Sequence, residues 1–129
     1  MQQENNSKKK LMFFSILIIV LIISLYVAVK SNTSPGKYDN FVDCLNEKGA
    51  KLYGAFWCPH CQAQKAMFGK SSKKLNYIEC STPDGQSALD VCKEAGIEGY
   101  PTWKFNDGMT LEGEVPLETL SQKTSCNLQ

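Results

Sequence analysis

KLYGAFWCPHCQAQ, Lys51 to Gln64, is the stretch on which the rest of the chain turns. Leu52 to Phe56 (LYGAF) is a short apolar run and predicts a buried strand. Cys58-Pro59-His60-Cys61 follows. Pro59 suits the first turn of a helix, where a missing N–H is no loss, and the helix is expected to run to about Phe68 and stop near Gly69. Two cysteines three positions apart at a helix start have a chemical consequence. The N–H groups and dipole of the helix terminus favour an anion at Cys58, and the thiolate is the form that attacks disulfides. Cys61 stands about one turn on, within reach of the first sulfur, and can resolve a mixed disulfide. Trp57, Pro59 and His60 tune the pair. His60 is placed to donate a hydrogen bond or carry positive charge near Cys58. That would stabilise the reduced form and make the Cys58–Cys61 disulfide a stronger oxidant.

Zinc knuckles share the Cys-x-x-Cys spacing, but zinc needs four ligands, usually from two such pairs. Here the remaining cysteines are isolated at Cys44, Cys80, Cys92 and Cys126, and His60 is the only histidine. Redox chemistry is therefore favoured, with no metal and no cofactor, and a copper- or zinc-binding module built on Cys58, His60 and Cys61 is the alternative from another class.

Upstream lies a run of different character. Leu11 to Val29 (LMFFSILIIVLIISLYVAV) is 19 residues without a charge. As a helix it measures roughly 28 Å, close to the ~30 Å hydrocarbon core of a bilayer. Lys8, Lys9 and Lys10 precede it, whereas Lys30 and Lys37 after it are diluted by Asp39 and Asp43. The positive-inside rule puts the N-terminus in the cytoplasm. A cleaved signal peptide is the rival reading, but its apolar core usually spans only about 7–15 residues. The expected organisation is a cytoplasmic tail over 1–10, a transmembrane anchor over 11–29, a linker over 30–37 and an extracytoplasmic domain over 38–129. All six cysteines fall in that last segment, in keeping with an oxidising compartment.

The 92 residues from Tyr38 suffice for one small domain and exclude two. They carry 9 Lys against 12 Asp plus Glu, a net charge of −3, which gives nucleic acid no basic face to bind. Tyr38 to Lys48 has the apolar spacing of a short amphipathic helix, closed by Gly49. Asn76 to Glu79 predicts a second strand and Ser87 to Ala95 a helix. Thr102 to Phe105 and Met109 to Leu111 flank Asn106-Asp107-Gly108, a hairpin signal. Pro116 to Lys123 predicts a last helix. Strands joined by helical crossovers predict a parallel pair, and the hairpin adds an antiparallel edge. The expected fold class is α/β, a mixed four-stranded sheet with helices on both faces.

The domain resembles the thioredoxin-like superfamily. Within it, the chain is similar to the domain fused to bacterial vitamin K epoxide reductase homologues. The resemblance rests on Lys51 to Gln64, Phe68-Gly69, Tyr77 to Cys80 (YIEC), Pro83-Asp84-Gly85 and Gly99 to Trp103 (GYPTW). It implies a thiol–disulfide oxidoreductase acting on protein thiols and disulfides, with Cys58 as nucleophile and Cys61 resolving. It also implies a cis bond before Pro101, with Tyr100, Pro101 and Thr102 shaping a substrate groove. The Pro-His dipeptide is similar to that of the bacterial oxidase DsbA, at about −120 mV against about −270 mV for thioredoxin. Oxidation of substrates is thus the expected direction, and a tethered reductase or isomerase, of the kind serving cytochrome c maturation, is the alternative. The fused proteins pass electrons to quinone through a four-helix membrane domain. This sequence has a single apolar run, so its membrane partner, quinone-linked or not, is expected to be a separate polypeptide. One departure stands out. Many thioredoxin-like proteins place a buried acid six residues before the first cysteine, where it helps move the proton of the second. That position is Leu52 here, and neither Lys51 nor Tyr53 is a carboxylate; Glu79 is the conceivable substitute.

Cys80 ends a strand and Cys92 lies in the next helix, while Cys44 and Cys126 sit near the two ends of the domain. Four cysteines allow three pairings. Cys80–Cys92 and Cys44–Cys126 are the favoured structural disulfides, with a redox relay through Cys80–Cys92 as the alternative.

Overall fold

The computed structural model describes Gln2–Leu128; Met1 and Gln129, the ends of the expected tail and domain, lie outside the described residues. The chain separates into two compact units, Met1–Ser34 and Pro35–Gln129.

The first unit is one helix, α1 (Gln2–Thr33). Its segment Lys8–Lys30, 23 residues whose most apolar 18-residue stretch has a mean hydropathy of 2.9, is long and apolar enough to cross a membrane. The helix extends beyond the apolar run at both ends, so the first residues of the expected linker are helical. Extending a formed helix costs far less than nucleating one. It stops where it must: Ser34 precedes Pro35, and the proline ring disfavours helical backbone in the residue before it.

The second unit begins with α2 (Asp39–Glu47), which buries Phe41, Val42 and Leu45 on one face. Gly49 follows with φ +74°, a left-handed turn that lets the Ala50 N–H return to the Leu45 carbonyl at 2.9 Å. The chain then enters β1 (Lys51–Gly54), passes through α3 (Pro59–Met67) and a 3-10 turn (Gly69–Lys74), and returns as β2 (Tyr77–Glu79). A short α4 (Asp90–Glu94) leads to β3 (Thr102–Lys104), β4 (Thr110–Glu112) and the closing α5 (Leu117–Thr124). The sheet order is β2-β1-β3-β4. β1 and β2 are parallel, with Leu52 opposite Tyr77 and Gly54 opposite Glu79. β1 and β3 are antiparallel, and so are β3 and β4. This is the mixed four-stranded sheet expected from the sequence.

Alternation along β1 sends neighbouring side chains to opposite faces of the sheet. Leu52 joins the main core with Phe41, Leu45, Phe68, Trp103 and Leu120. Phe68 stacks on Phe41 at 6.1 Å between ring centroids and tilts against Trp103 at 6.0 Å. Tyr53 faces the other way, into a smaller cluster with Cys80 and Cys92. Disulfides join Cys44 to Cys126 and Cys80 to Cys92. The first ties α2 to the residues after α5, and the second ties the end of β2 to α4.

Two further elements differ from the sequence expectation. The 3-10 turn carries Ser71, fully buried, whose Oγ accepts the Tyr38 N–H at 2.9 Å. A polar GKSSKK run offers no apolar period from which to read it. α4 starts three residues late because the backbone before it pairs elsewhere: the Leu89 N–H donates to the Cys80 carbonyl at 2.7 Å, and the Thr82 N–H to the Ser87 carbonyl at 2.9 Å.

Gln64 is a fully buried amide on α3 that clamps a distant loop. Its Nε2 donates to the Val115 carbonyl at 3.0 Å, and its Oε1 accepts the Val115 N–H at 2.6 Å. Gln64→Leu is expected to leave both backbone groups without partners and to lower unfolding stability by about 2–6 kcal/mol, since each buried orphan costs about 1–3 kcal/mol. Denaturant titration followed by Trp103 fluorescence measures it; a midpoint equal to wild type would contradict the clamp.

Candidate active site

Cys58 is the N-cap of α3, in extended backbone (φ −78°, ψ 118°), with Pro59 in the first turn. Its Sγ accepts the Cys61 N–H at 3.4 Å, so a helix-end donor faces the sulfur. Its thiol also lies 3.8 Å from the Tyr100 carbonyl oxygen. Both cysteines are free thiols. Cys58 keeps 5 % of its surface exposed and Cys61 none, so Cys58 is the sulfur within reach of another molecule. Burial pushes the Cys61 thiol up to about 12, and its hydrogen bond with Cys58 adds to the shift.

The wall opposite the thiols is the loop before β3. The Tyr100–Pro101 bond is cis, and Pro101 is buried. The Pro101 carbonyl accepts the Gly113 N–H at 2.8 Å, and the Thr102 hydroxyl donates to the Gly99 carbonyl at 2.8 Å. These bonds fix the loop from both sides. Tyr100 meets Trp57 edge-on at 6.2 Å. Trp57 is half exposed, and its Nε1 donates to the buried Ser81 hydroxyl at 2.8 Å. Phe56 is exposed beside it, giving the site an apolar rim.

Two acidic residues belong to this region. His60 turns its Nδ1 to Glu114 Oε1 at 2.6 Å, while the hydrogen-bond partners of Cys58 Sγ are Cys61 and Tyr100. Any influence of His60 on the sulfur is therefore shared with a carboxylate on the loop that Gln64 clamps. Nothing in the local sequence points to Glu114, which lies 54 positions away. Glu79, the substitute acid considered from sequence, sits on β2. Its Oε1 accepts the Phe56 N–H at 3.2 Å and the Ser81 N–H at 2.9 Å, and its Oε2 accepts the Tyr77 hydroxyl at 3.2 Å.

With this geometry in place, comparison with known proteins decides the family. The thioredoxin family model matches residues 31–125. The chain belongs to the thioredoxin family. Among thioredoxin-like relatives, it is 51% identical over 89 residues to thiol-disulfide oxidoreductase LTO1 of Arabidopsis thaliana, covering 65% of this chain and 23% of that protein. It is 35% identical over 77 residues to the protein disulfide-isomerase of Arthroderma benhamiae, covering 57% of this chain and 15% of the relative. A match to the protein disulfide-isomerase of Humicola insolens is 31% identical over 87 residues, covering 64% and 17%. The chain thus spans less than a quarter of the length of each of these thioredoxin-family relatives.

Proposed function

We propose that this chain is a membrane-anchored thiol–disulfide oxidoreductase that oxidises protein thiols through Cys58–Cys61. The observation that carries this reading is the Cys58 sulfur at a helix N-terminus, facing the Tyr100 carbonyl before Pro101, with a buried second thiol one turn behind it. A substrate thiolate attacks Cys58 Sγ of the disulfide form, and Cys61 leaves. The second substrate thiolate then attacks the substrate sulfur of the mixed disulfide, releasing oxidised substrate and a dithiol site. Tyr100, Pro101 and Thr102 form the groove for the substrate backbone, and Trp57, Pro59 and His60 tune the couple. Cys44–Cys126 and Cys80–Cys92 are structural staples.

The same reading assigns 1–10 to the cytoplasm, 11–29 to the membrane, 30–37 to a linker and 38–129 to the extracytoplasmic side. The lysines before α1's apolar run support that orientation. The site returns its electrons to a separate membrane oxidoreductase, quinone-linked or not, as the likeness to domains fused to vitamin K epoxide reductase homologues suggests. Isomerase activity is the second reading, favoured by the matches to protein disulfide-isomerases.

The full chain in detergent, oxidised at Cys58–Cys61, is expected to oxidise a dithiol peptide one for one, and Cys58→Ala is expected to remove that activity. Persistence of oxidation in Cys58→Ala would overturn the assignment. Net oxidation of a reduced, unfolded protein separates an oxidase from an isomerase, which acts mainly by rearranging scrambled bonds.

A further inference from the structure

Reoxidation of the site poses a problem that the thiols alone do not solve. Once Cys58 is joined to a partner sulfur, Cys61 must lose its proton to attack. Its burial holds that proton tightly at neutral pH. In the dithiol form burial and the Cys58 sulfur together push Cys61 up to about 12, and burial, the larger cause, remains when Cys58 carries a partner sulfur. A local group must take the proton, and no carboxylate stands at Leu52, which is packed in the main core.

The register of the sheet supplies the group. Tyr77 is the partner of Leu52 across β1–β2, and Glu79 is the partner of Gly54. Alternation puts Tyr77 and Glu79 on the same face of β2. Gly54, the last residue of β1, is buried. A Cβ there would lie 2.8 Å from Cys61 Sγ and 3.0 Å from Tyr77 Oη, so both atoms press on the surface that the glycine leaves bare. The Tyr77 hydroxyl in turn donates to Glu79 Oε2. Glu79 is partly exposed, so a proton received there has a route to solvent.

We propose that Tyr77 and Glu79 form the proton relay of Cys61. This inference rests on the thiol–disulfide reading of the site. The Cys61 S–H passes its proton to Tyr77 Oη as the Tyr77 O–H passes its own to Glu79, which becomes a carboxylic acid. The Cys61 thiolate attacks Cys58 Sγ, the Cys58–Cys61 bond forms, and the Cys58–partner bond breaks. The partner sulfur leaves as a thiolate with the bonding pair. In the opposite direction the departing Cys61 takes its proton back along the same path. Burial and the neighbouring Glu79 push the Tyr77 phenol well above its ordinary value, so it serves as a conduit rather than as the final base. Lys65 also lies at this face, its Nζ 4.4 Å over the Tyr77 ring, and favours the Cys61 thiolate.

The test uses the full chain in detergent, reduced at Cys58–Cys61, and an aromatic disulfide reagent that releases a coloured thiol. The first release reports capture by Cys58 and the second reports resolution by Cys61. Glu79→Gln keeps an acceptor for the Phe56 and Ser81 N–H groups but cannot take a proton. Tyr77→Phe keeps the ring under Lys65. Both variants are expected to capture at the wild-type rate. Both are expected to resolve about 100-fold more slowly at neutral pH, a typical loss for a proton-transfer group. The deficit should shrink about tenfold per pH unit as hydroxide replaces the relay, a slope that a structural defect would not give. Wild-type resolution rates in both variants, or a deficit independent of pH, would overturn the relay. Failure of Cys58 to capture the reagent in wild type would overturn the underlying reading as well.

Discussion

Cys61→Ser is expected to capture a disulfide substrate through Cys58 and then hold it, with turnover lower by on the order of 10³-fold or more, as for loss of a principal catalytic nucleophile. The geometry separates the two thiols by task. Cys58 sits at the end of α3, receives a helix N–H and keeps a small exposed surface, whereas Cys61 is sealed beneath it. Serine nearly matches cysteine in size, so the buried position stays filled while the attacking sulfur is lost. Mass spectrometry is expected to find the adduct on Cys58 alone, and Cys58→Ser is expected to form no adduct. Normal turnover in Cys61→Ser, or an adduct that survives in Cys58→Ser, would contradict this division of roles.

Paired replacement of Cys44 and Cys126 by alanine is expected to lower stability by about 4.5 kcal/mol in the chain-entropy treatment. The bond spans a sequence separation of 82 and closes nearly the whole second unit, whereas Cys80–Cys92 spans 12 and is worth about 3 kcal/mol by the same treatment. Cys44 and Cys126 also pack against the main core, so their loss loosens the contact between α2 and the segment after α5. Cys80 and Cys92 belong to the smaller cluster with Tyr53, on the opposite face. Denaturant titration read by the fluorescence of the buried Trp103 compares the two pairs. The order of the losses is the informative result: an equal or greater loss for Cys80 and Cys92 would contradict the loop-length argument.

The parts of this protein that could be read from sequence are those written in local pattern. The LYGAF run before Cys-Pro announces β1 and the helix that follows it, and Asn106-Asp107-Gly108 announces the β3–β4 hairpin, where the Phe105 N–H meets the Met109 carbonyl at 3.0 Å. Strands separated by helices called for a parallel pair, and β1 and β2 form it. The 3-10 turn at Gly69–Lys74 was not legible, because its one buried residue is a serine held by a backbone N–H 33 positions away. The site's outer partners were hidden for the same reason. His60 meets Glu114 across 54 positions and Gln64 meets Val115 across 51, and an exposed acid or a helical glutamine carries no mark of such a partner. Glu79 could be named as an acid near the site, but only the structure shows the Tyr77 hydroxyl donating to it.

Whether Cys58–Cys61 works as an oxidant is decided by its reduction potential. The full chain in detergent would be equilibrated with glutathione buffers and its thiols trapped, with Cys44, Cys80, Cys92 and Cys126 counted separately. An oxidant is expected at a value between about −120 and −180 mV, in the range of DsbA and protein disulfide isomerase. A value near about −270 mV, like thioredoxin, would contradict that reading and make the site a reductant.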